Sequence, residues 1–184
     1  DHTILVTAAT GGVGSLLCQW ASSLGVTVIG SVSTPDKAIL AKSYGCKYAL
    51  LYKQKNFMHQ IMDITNQNGV DVVYDSVGSD TFKVSLDTLK SCGHLVNFGQ
   101  SSGSVDPLLM SSLAKKSLTV TRPIIFHYIA KLEFYEKMAT SVFDAFNKKI
   151  IKASDPQPYN LANASVTHDI LESRRGGGSL LLKP

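Results

Sequence analysis

The chain has 184 residues, 44% of them hydrophobic and 17% charged, which gives enough apolar material for a packed core and too little charge for a disordered chain. No apolar run approaches the roughly 18 residues of a membrane-crossing helix. Eighteen Lys and Arg against 14 Asp and Glu leave a net charge of +4, scattered in a way that suits a small anionic ligand and offers nucleic acid no concentrated groove.

Cys18, Cys46 and Cys92 are odd in number with no close pair. That argues against a disulfide framework and a cysteine-built zinc site, and for a reducing, cytoplasmic setting. His2, His59, His94, His127 and His168 show no i, i+4 pairing either, so no metal site is expected. There is no signal-peptide or lipidation pattern. The chain opens at Asp1 without a Met and reads as an excised piece of a longer one.

Strand and helix signals alternate from the start. Ile4 to Thr7 is a short apolar, β-branched run suited to a strand covered on both faces. After the cluster Gly11, Gly12, Gly14, the residues Val13, Leu16, Leu17, Trp20, Ala21 and Leu24 recur as one apolar stripe of a helix, and Gly25 stands where a left-handed terminating residue belongs. Val26 to Ile29 is a second strand. Thr34-Pro35 is an N-cap with proline in first helical position, and Gly45 closes that helix. Tyr48 to Leu51 is the third strand, Phe57, Ile61 and Ile64 mark a helix face, and Val70 to Asp75 is the fourth strand. Phe82, Leu86 and Leu89 predict a helix stopping before Gly93, followed by strands over Leu95 to Phe98 and Ser117 to Thr121. This alternation implies right-handed crossovers and an α/β fold with a doubly wound parallel sheet.

Past Arg122-Pro123 the rhythm changes. Leu132, Tyr135, Ala139, Val142, Phe143, Phe146 and Ile150 share one face of a long helix. Ala153 to Pro158 reads as a loop. A short helix with Val166, Ile170 and Leu171, three glycines at 176–178 and one strand over Leu180 to Leu182 follow, with no sheet for that strand to join. The expected division is a nucleotide-binding domain over 1–128, and a long helix plus a segment returning to another domain over 129–184.

Ala9-Thr10-Gly11-Gly12-Val13-Gly14 fits A-x-G-x-x-G directly between a strand and a helix. Glycine at positions 11 and 12 lets the backbone turn sharply and approach a diphosphate, while Gly14 lets the helix pack against the strand. The N–H groups and positive end of that helix favour the anion. No Lys-Ser/Thr follows, so this is not a triphosphate loop. At the end of the second strand, where a carboxylate would bind a ribose 2′-hydroxyl, stand Ser31, Val32, Ser33 and Thr34, with Asp36 and Lys37 behind them. Hydroxyls and a lysine accommodate a 2′-phosphate that a carboxylate would repel, which predicts NADPH over NADH. Lys37 as a solvated helix-start residue is the alternative.

The runs ILVTAATGGVGSLLCQWASSLGVTVIG, VDVVYDSVG, LVNFGQSSG, VTRP and HDILESRRGGGSLLL, in that order, resemble the zinc-free quinone oxidoreductase branch, zeta-crystallin-like, of the medium-chain dehydrogenase/reductases. Members are about twice as long, with an N-terminal barrel-like catalytic domain that this chain lacks. The resemblance implies hydride transfer from NADPH to a quinone or α,β-unsaturated carbonyl, and a homodimer formed through the edge strand, here Ser117 to Thr121.

It further implies that Gly12 and Val13, beside Gly11, hold the diphosphate through backbone groups. Ser33, Lys37 and Tyr52 would surround the 2′-phosphate, and Ser76 or Val77 would line the adenosine. Phe98, Gly99, Gln100 and Ser101 would border the nicotinamide ribose and ring, Thr121 and Arg122 would flank its amide, and Arg174 would reach the cofactor from the tail. Thr10 and Gln100 depart from residues usual in the branch. An enoyl-thioester reductase of polyketide or fatty-acid type, and a non-enzymatic NADPH- or RNA-binding module, share the same cofactor half. Short-chain dehydrogenases are excluded, because no tyrosine is followed four residues on by lysine.

Overall fold

Parallel pairing needs a crossover of a dozen or more residues between strands, and the helix-length segments between these short β-branched runs supply it. The computed structural model describes residues 2–153, 156–173 and 180–184. Its elements are β1 (Thr3–Val6), α1 (Gly12–Ser23), β2 (Thr27–Val32), α2 (Pro35–Ser43), β3 (Tyr48–Leu51), α3 (Phe57–Ile64), β4 (Val70–Asp75), α4 (Phe82–Asp87), β5 (Leu89–Asn97), α5 (Met110–Ala114) and β6 (Thr119–Thr121). The six strands are all parallel in the order β3-β2-β1-β4-β5-β6. Strand order therefore reverses between β1 and β4, where open α/β sheets hold ligands beyond their carboxyl ends.

Both faces of the sheet are covered. Val6, Cys18, Ala21 and Val28 form one apolar layer with α1 and α2. Leu5, Ile29, Ile61, Val73 and Leu95 form the other with α3. Adjacent strand residues such as Leu5 and Val6 enter opposite layers, which is why β1 carries no polar alternation.

The apolar stripe expected on α1 is corrected in detail. The buried residues are Gly14, Cys18 and Ala21, whereas Val13 and Leu24 are 62% and 72% exposed. Helix and sheet approach so closely that only small side chains fit between them: a Cβ on Gly14 would overlap the carbonyl oxygen of Ala8.

The boundary after β4 also differs from expectation. Helix α4 stops at Asp87, and Leu89 opens β5 instead of ending the helix. Thr88 Oγ1 donates to the carbonyls of Val84 (2.9 Å) and Ser85 (3.1 Å) at that helix end. Leu89 is wholly buried in the sheet layer, and β5 runs to Asn97, short of Phe98. The interruption at Ser91-Cys92-Gly93, with Cys92 at φ 61° and a shift in pairing register between Val70 and Val72, hid the strand from a periodicity reading.

Beyond β6 come α6 (Ile125–Tyr128), α7 (Leu132–Asn147), β7 (Gln157–Asn160), a 3-10 turn over Leu161–Asn163, α8 (Ala164–Glu172) and β8 (Leu180–Lys183). The tail brings its own sheet, a parallel pair of β7 and β8, where one lone strand and a loop to Pro158 were expected. Pro158 disguised β7. In a two-stranded sheet each strand is an edge, so the missing N–H of a proline is tolerated. Helix α7 buries only Ala145. The segment after it, where Ile151 is buried, is tied to α1 through the Gln19 side chain, which donates to Lys152 O (3.1 Å) and accepts from Lys152 N–H (2.9 Å).

At the amino edge of the sheet, Asp71 joins three neighbouring strands: it accepts from Thr3 N–H (2.8 Å), pairs with His2 (3.1 Å) and forms an ion pair with Lys90. Burial pushes the Asp71 carboxyl up, but Lys90, the Thr3 N–H and His2 outweigh it and hold the carboxyl down at about 2. A folded-state value below that of the unfolded chain means stability that is present above about pH 4 and fades as pH falls toward 2. Asp71→Asn is expected to lose about 1–2 kcal/mol at pH 7. In urea titrations, the gap from wild type should shrink steadily between about pH 4 and pH 2.

Candidate functional site

The turn between β1 and α1 is closed by a main-chain bond. Gly11 N–H donates to Ala8 O (2.8 Å), with Ala8 at φ 48°. Gly11 is the N-cap of α1 without a side-chain cap bond, and no acidic residue occupies the first turn. The opening N–H groups of this helix have no carbonyl behind them, and no carboxylate of α1's own first turn competes for their partial positive charge. Gly12 faces open space: a Cβ there would meet nothing within 4 Å. Val13 stands exposed beside it. This is a cradle for a group that comes close to the main chain and carries negative charge.

At the end of β2 the parallel register pairs Val32 with Leu51, and Tyr52 N–H donates to Val32 O (3.2 Å). Ser33 and Tyr52 are thereby neighbours just past two strand ends. Thr34 caps α2 by accepting from Lys37 N–H (3.3 Å), which places Lys37 within the first turn next to Ser33. The sequence reading missed Lys53, whose Nζ lies 5.9 Å from the centre of the Tyr52 ring, a second cation on this corner. A cavity of about 20 Å³ separates Thr7, Ser31, Tyr52 and Thr81, so these strand and helix ends converge from both sides of the switch point.

A buried carboxylate organises the other side. Asp75, at the end of β4, is fully buried and has no cationic partner among the described residues. Its Oδ1 accepts from Thr7 Oγ1 (3.1 Å), Val77 N–H (2.9 Å), Gly78 N–H (3.3 Å) and Thr81 Oγ1 (2.8 Å). Its Oδ2 faces Thr81 Oγ1 (3.0 Å) and accepts from Ser85 Oγ (3.4 Å). Thr7 Oγ1 in turn accepts from Ser76 N–H (2.9 Å). Neither Thr7 nor Asp75 stood out in the sequence, because residues 68 positions apart meet only in the folded sheet.

Ser76 and Val77 lie directly on this network, against the loop that carries Phe98, Gly99, Gln100 and Ser101. Phe98 N–H and Ser101 N–H donate to Asp75 O (2.8 Å) and Ser76 O (3.2 Å). Arg122 Nη1 donates to Asn97 O (3.2 Å), and the Thr121 hydroxyl pairs with His94 Nε2 at 2.9 Å, so the end of β6 is joined to β5. The turn, the Ser33–Tyr52 corner, the two loops and the β6 end all stand along the carboxyl edge of one sheet. Arg174 lies outside the described residues. A cavity of about 370 Å³ between α4 and the 105–118 segment shares none of these residues.

A family model described as "Zinc-binding dehydrogenase" matches residues 12–144. A 2-haloacrylate reductase of a Burkholderia species is 37% identical over 183 residues, 98% of this chain and 55% of that protein. A quinone oxidoreductase of Pseudomonas aeruginosa is 41% identical over 184 residues, 100% of this chain and 57% of that protein. Among solved structures, Escherichia coli quinone oxidoreductase complexed with NADPH superposes with a TM-score of 0.93 at 41% identity, over 100% of this chain and 57% of that one. The chain thus spans little more than half the length of these relatives. Zinc stands in the family's description, yet among the described residues no three His, Cys, Asp or Glu gather to hold a metal; the residues present do not fit one.

The two glycines separate packing from ligand space. Gly14→Ala is expected to cost about 2–3 kcal/mol by forcing helix from strand, whereas Gly12→Ala should stay within about 0.5 kcal/mol of wild type. Urea midpoints of the two variants check this.

Proposed function

We propose, for a chain that belongs to the zinc-binding dehydrogenase family, the role of NADPH-holding part of an oxidoreductase that reduces a quinone or an α,β-unsaturated carbonyl compound. The observation that carries this reading is the corner formed by Ser33, Lys37 and Tyr52, with hydroxyls and cations where a dinucleotide site selective for the unphosphorylated ribose would place a carboxylate. Lys53 strengthens the corner. NADPH, when bound, supplies the hydride; the residues of this chain bind and orient it.

In this reading the backbone at Gly11, Gly12 and Val13 cradles the diphosphate, Ser76 and Val77 line the adenosine, and Phe98 to Ser101 border the nicotinamide with Thr121 and Arg122 at its amide. The names of the relatives, quinone oxidoreductase and 2-haloacrylate reductase, support an electron-poor double bond as the hydride acceptor.

The division into a nucleotide-binding unit over 1–128 and a returning segment over 129–184 fits the exposed apolar face of α7. Leu132, Tyr135 and Phe143 are 68%, 50% and 66% exposed on a helix that buries one residue. A further unit that carries the substrate pocket would cover it. The free, buried Cys18 and Cys46 support a cytoplasmic setting, and no helix among the described residues is long and apolar enough to cross a membrane. Strand β6, three residues at the sheet edge, supports pairing with a second copy.

Calorimetry should find NADPH bound at least about tenfold more tightly than NADH, and Lys37→Ala should shrink that preference about fivefold or more. Equal affinities in the wild type would remove the reading. In the full-length protein, NADPH oxidation is expected with quinones or 2-haloacrylates; turnover of enoyl thioesters alone would point to the thioester reductases instead. Light scattering should return the mass of two chains, and a monomer would count against pairing through β6.

A further inference from the structure

The loop after β4 (residues 76–80) and the loop after β5 (98–103) are stitched together along their whole length. Ser102 N–H and Ser102 Oγ both donate to Val77 O, at 2.8 Å and 2.7 Å. The same hydroxyl accepts from Asp80 N–H (3.0 Å) at the entry to α4. Ser79 N–H donates to Gly103 O (3.3 Å). Gly99 lies so close to the other loop that a Cβ there would sit 2.6 Å from Ser76 O.

The two loops are anchored unequally. Residues 76–78 are held from below by Asp75 and Thr7. The base of the second loop has Phe98 N–H on Asp75 O and Asn97 Nδ2 on Gly99 O (3.2 Å). Its distal end, from Ser102 to Gly103, is held to the first loop mainly by the Ser102 hydroxyl and the main-chain bonds beside it.

We infer that Ser102 is a positioning residue for the cofactor: its hydroxyl locks the second loop onto the first and so sets the spacing between the adenosine-lining and nicotinamide-bordering stretches. The inference rests on the NADPH reading above and adds to it a residue to which that reading assigns no part of the ligand. Removing the hydroxyl leaves Val77 O with its main-chain donor but deprives Asp80 N–H of its acceptor, so the second loop's tip keeps only its main-chain bonds while the first stays pinned by Asp75.

The test compares wild type, Ser102→Ala and Ser102→Thr for affinity to NADPH and to 2′,5′-ADP, the adenosine half of the cofactor, together with the thermal midpoint and the fluorescence of bound NADPH. Ser102→Ala should weaken NADPH about five- to tenfold and change its fluorescence while 2′,5′-ADP stays within about twofold. Ser102→Thr, which keeps the hydroxyl, should restore NADPH binding. Parallel weakening of both ligands with a fallen thermal midpoint, or unchanged NADPH affinity in Ser102→Ala, overturns the positioning role and leaves the NADPH reading intact. Failure of wild type to bind either ligand overturns both.

Discussion

A carboxylate taken wholly out of water must have its charge met by donors, or it does not stay there. Asp75 meets this requirement without a cation, through hydroxyls and main-chain N–H groups contributed by β1, the loop after β4 and α4. Charge-assisted bonds are stronger and more directional than neutral ones. The consequence is geometric: Thr7, Ser76 to Gly78 and Thr81 are held relative to one another at the place where strand order reverses. The glycine turn begins one residue past Thr7, so the network also governs where that turn starts.

This arrangement leaves each class of group a separate task. Main-chain N–H groups at the α1 terminus are left without a side-chain cap or an acidic residue in the first turn. Side-chain hydroxyls and lysines sit at the β2 and β3 ends. The buried carboxylate acts inward, on the scaffold. Had Asp75 pointed into the crevice, its charge would have opposed a phosphorylated ligand; enclosed by donors, it shapes the crevice instead.

Much of the architecture was legible in the sequence because parallel strands buried on both faces leave short, unmixed apolar runs, and because glycine marks backbone positions directly. The strand–turn–helix at residues 4–24 is the clearest case. Legibility failed where small residues did the packing, as on α1, since a hydrophobic pattern gives most weight to Val13 and Leu24, which are exposed, and least to Gly14. It failed again at Leu89, where an apolar residue fits a helix face and a strand equally, and at β7, where prolines masked pairing. At the site, the missing carboxylate after β2 could be read locally. The meeting of Ser33 with Tyr52 was expected only through the family resemblance, and those of Thr7 with Asp75 and of Ser102 with Val77 could not be read, because each depends on strand register or loop contact between distant segments.

The central pairing of the sheet joins β1 to β4, segments separated by more than sixty residues of intervening chain. During synthesis, β1, β2 and β3 are available to associate first, while the opposite flank of β1 waits, apolar and unzipped, until Asp75 has left the ribosomal tunnel. Parallel topologies of high contact order fold slowly for this reason. A chain emerging in this order passes through a half-built sheet whose open seam is the line along which the crevice later forms, with apolar strand surface exposed at that stage.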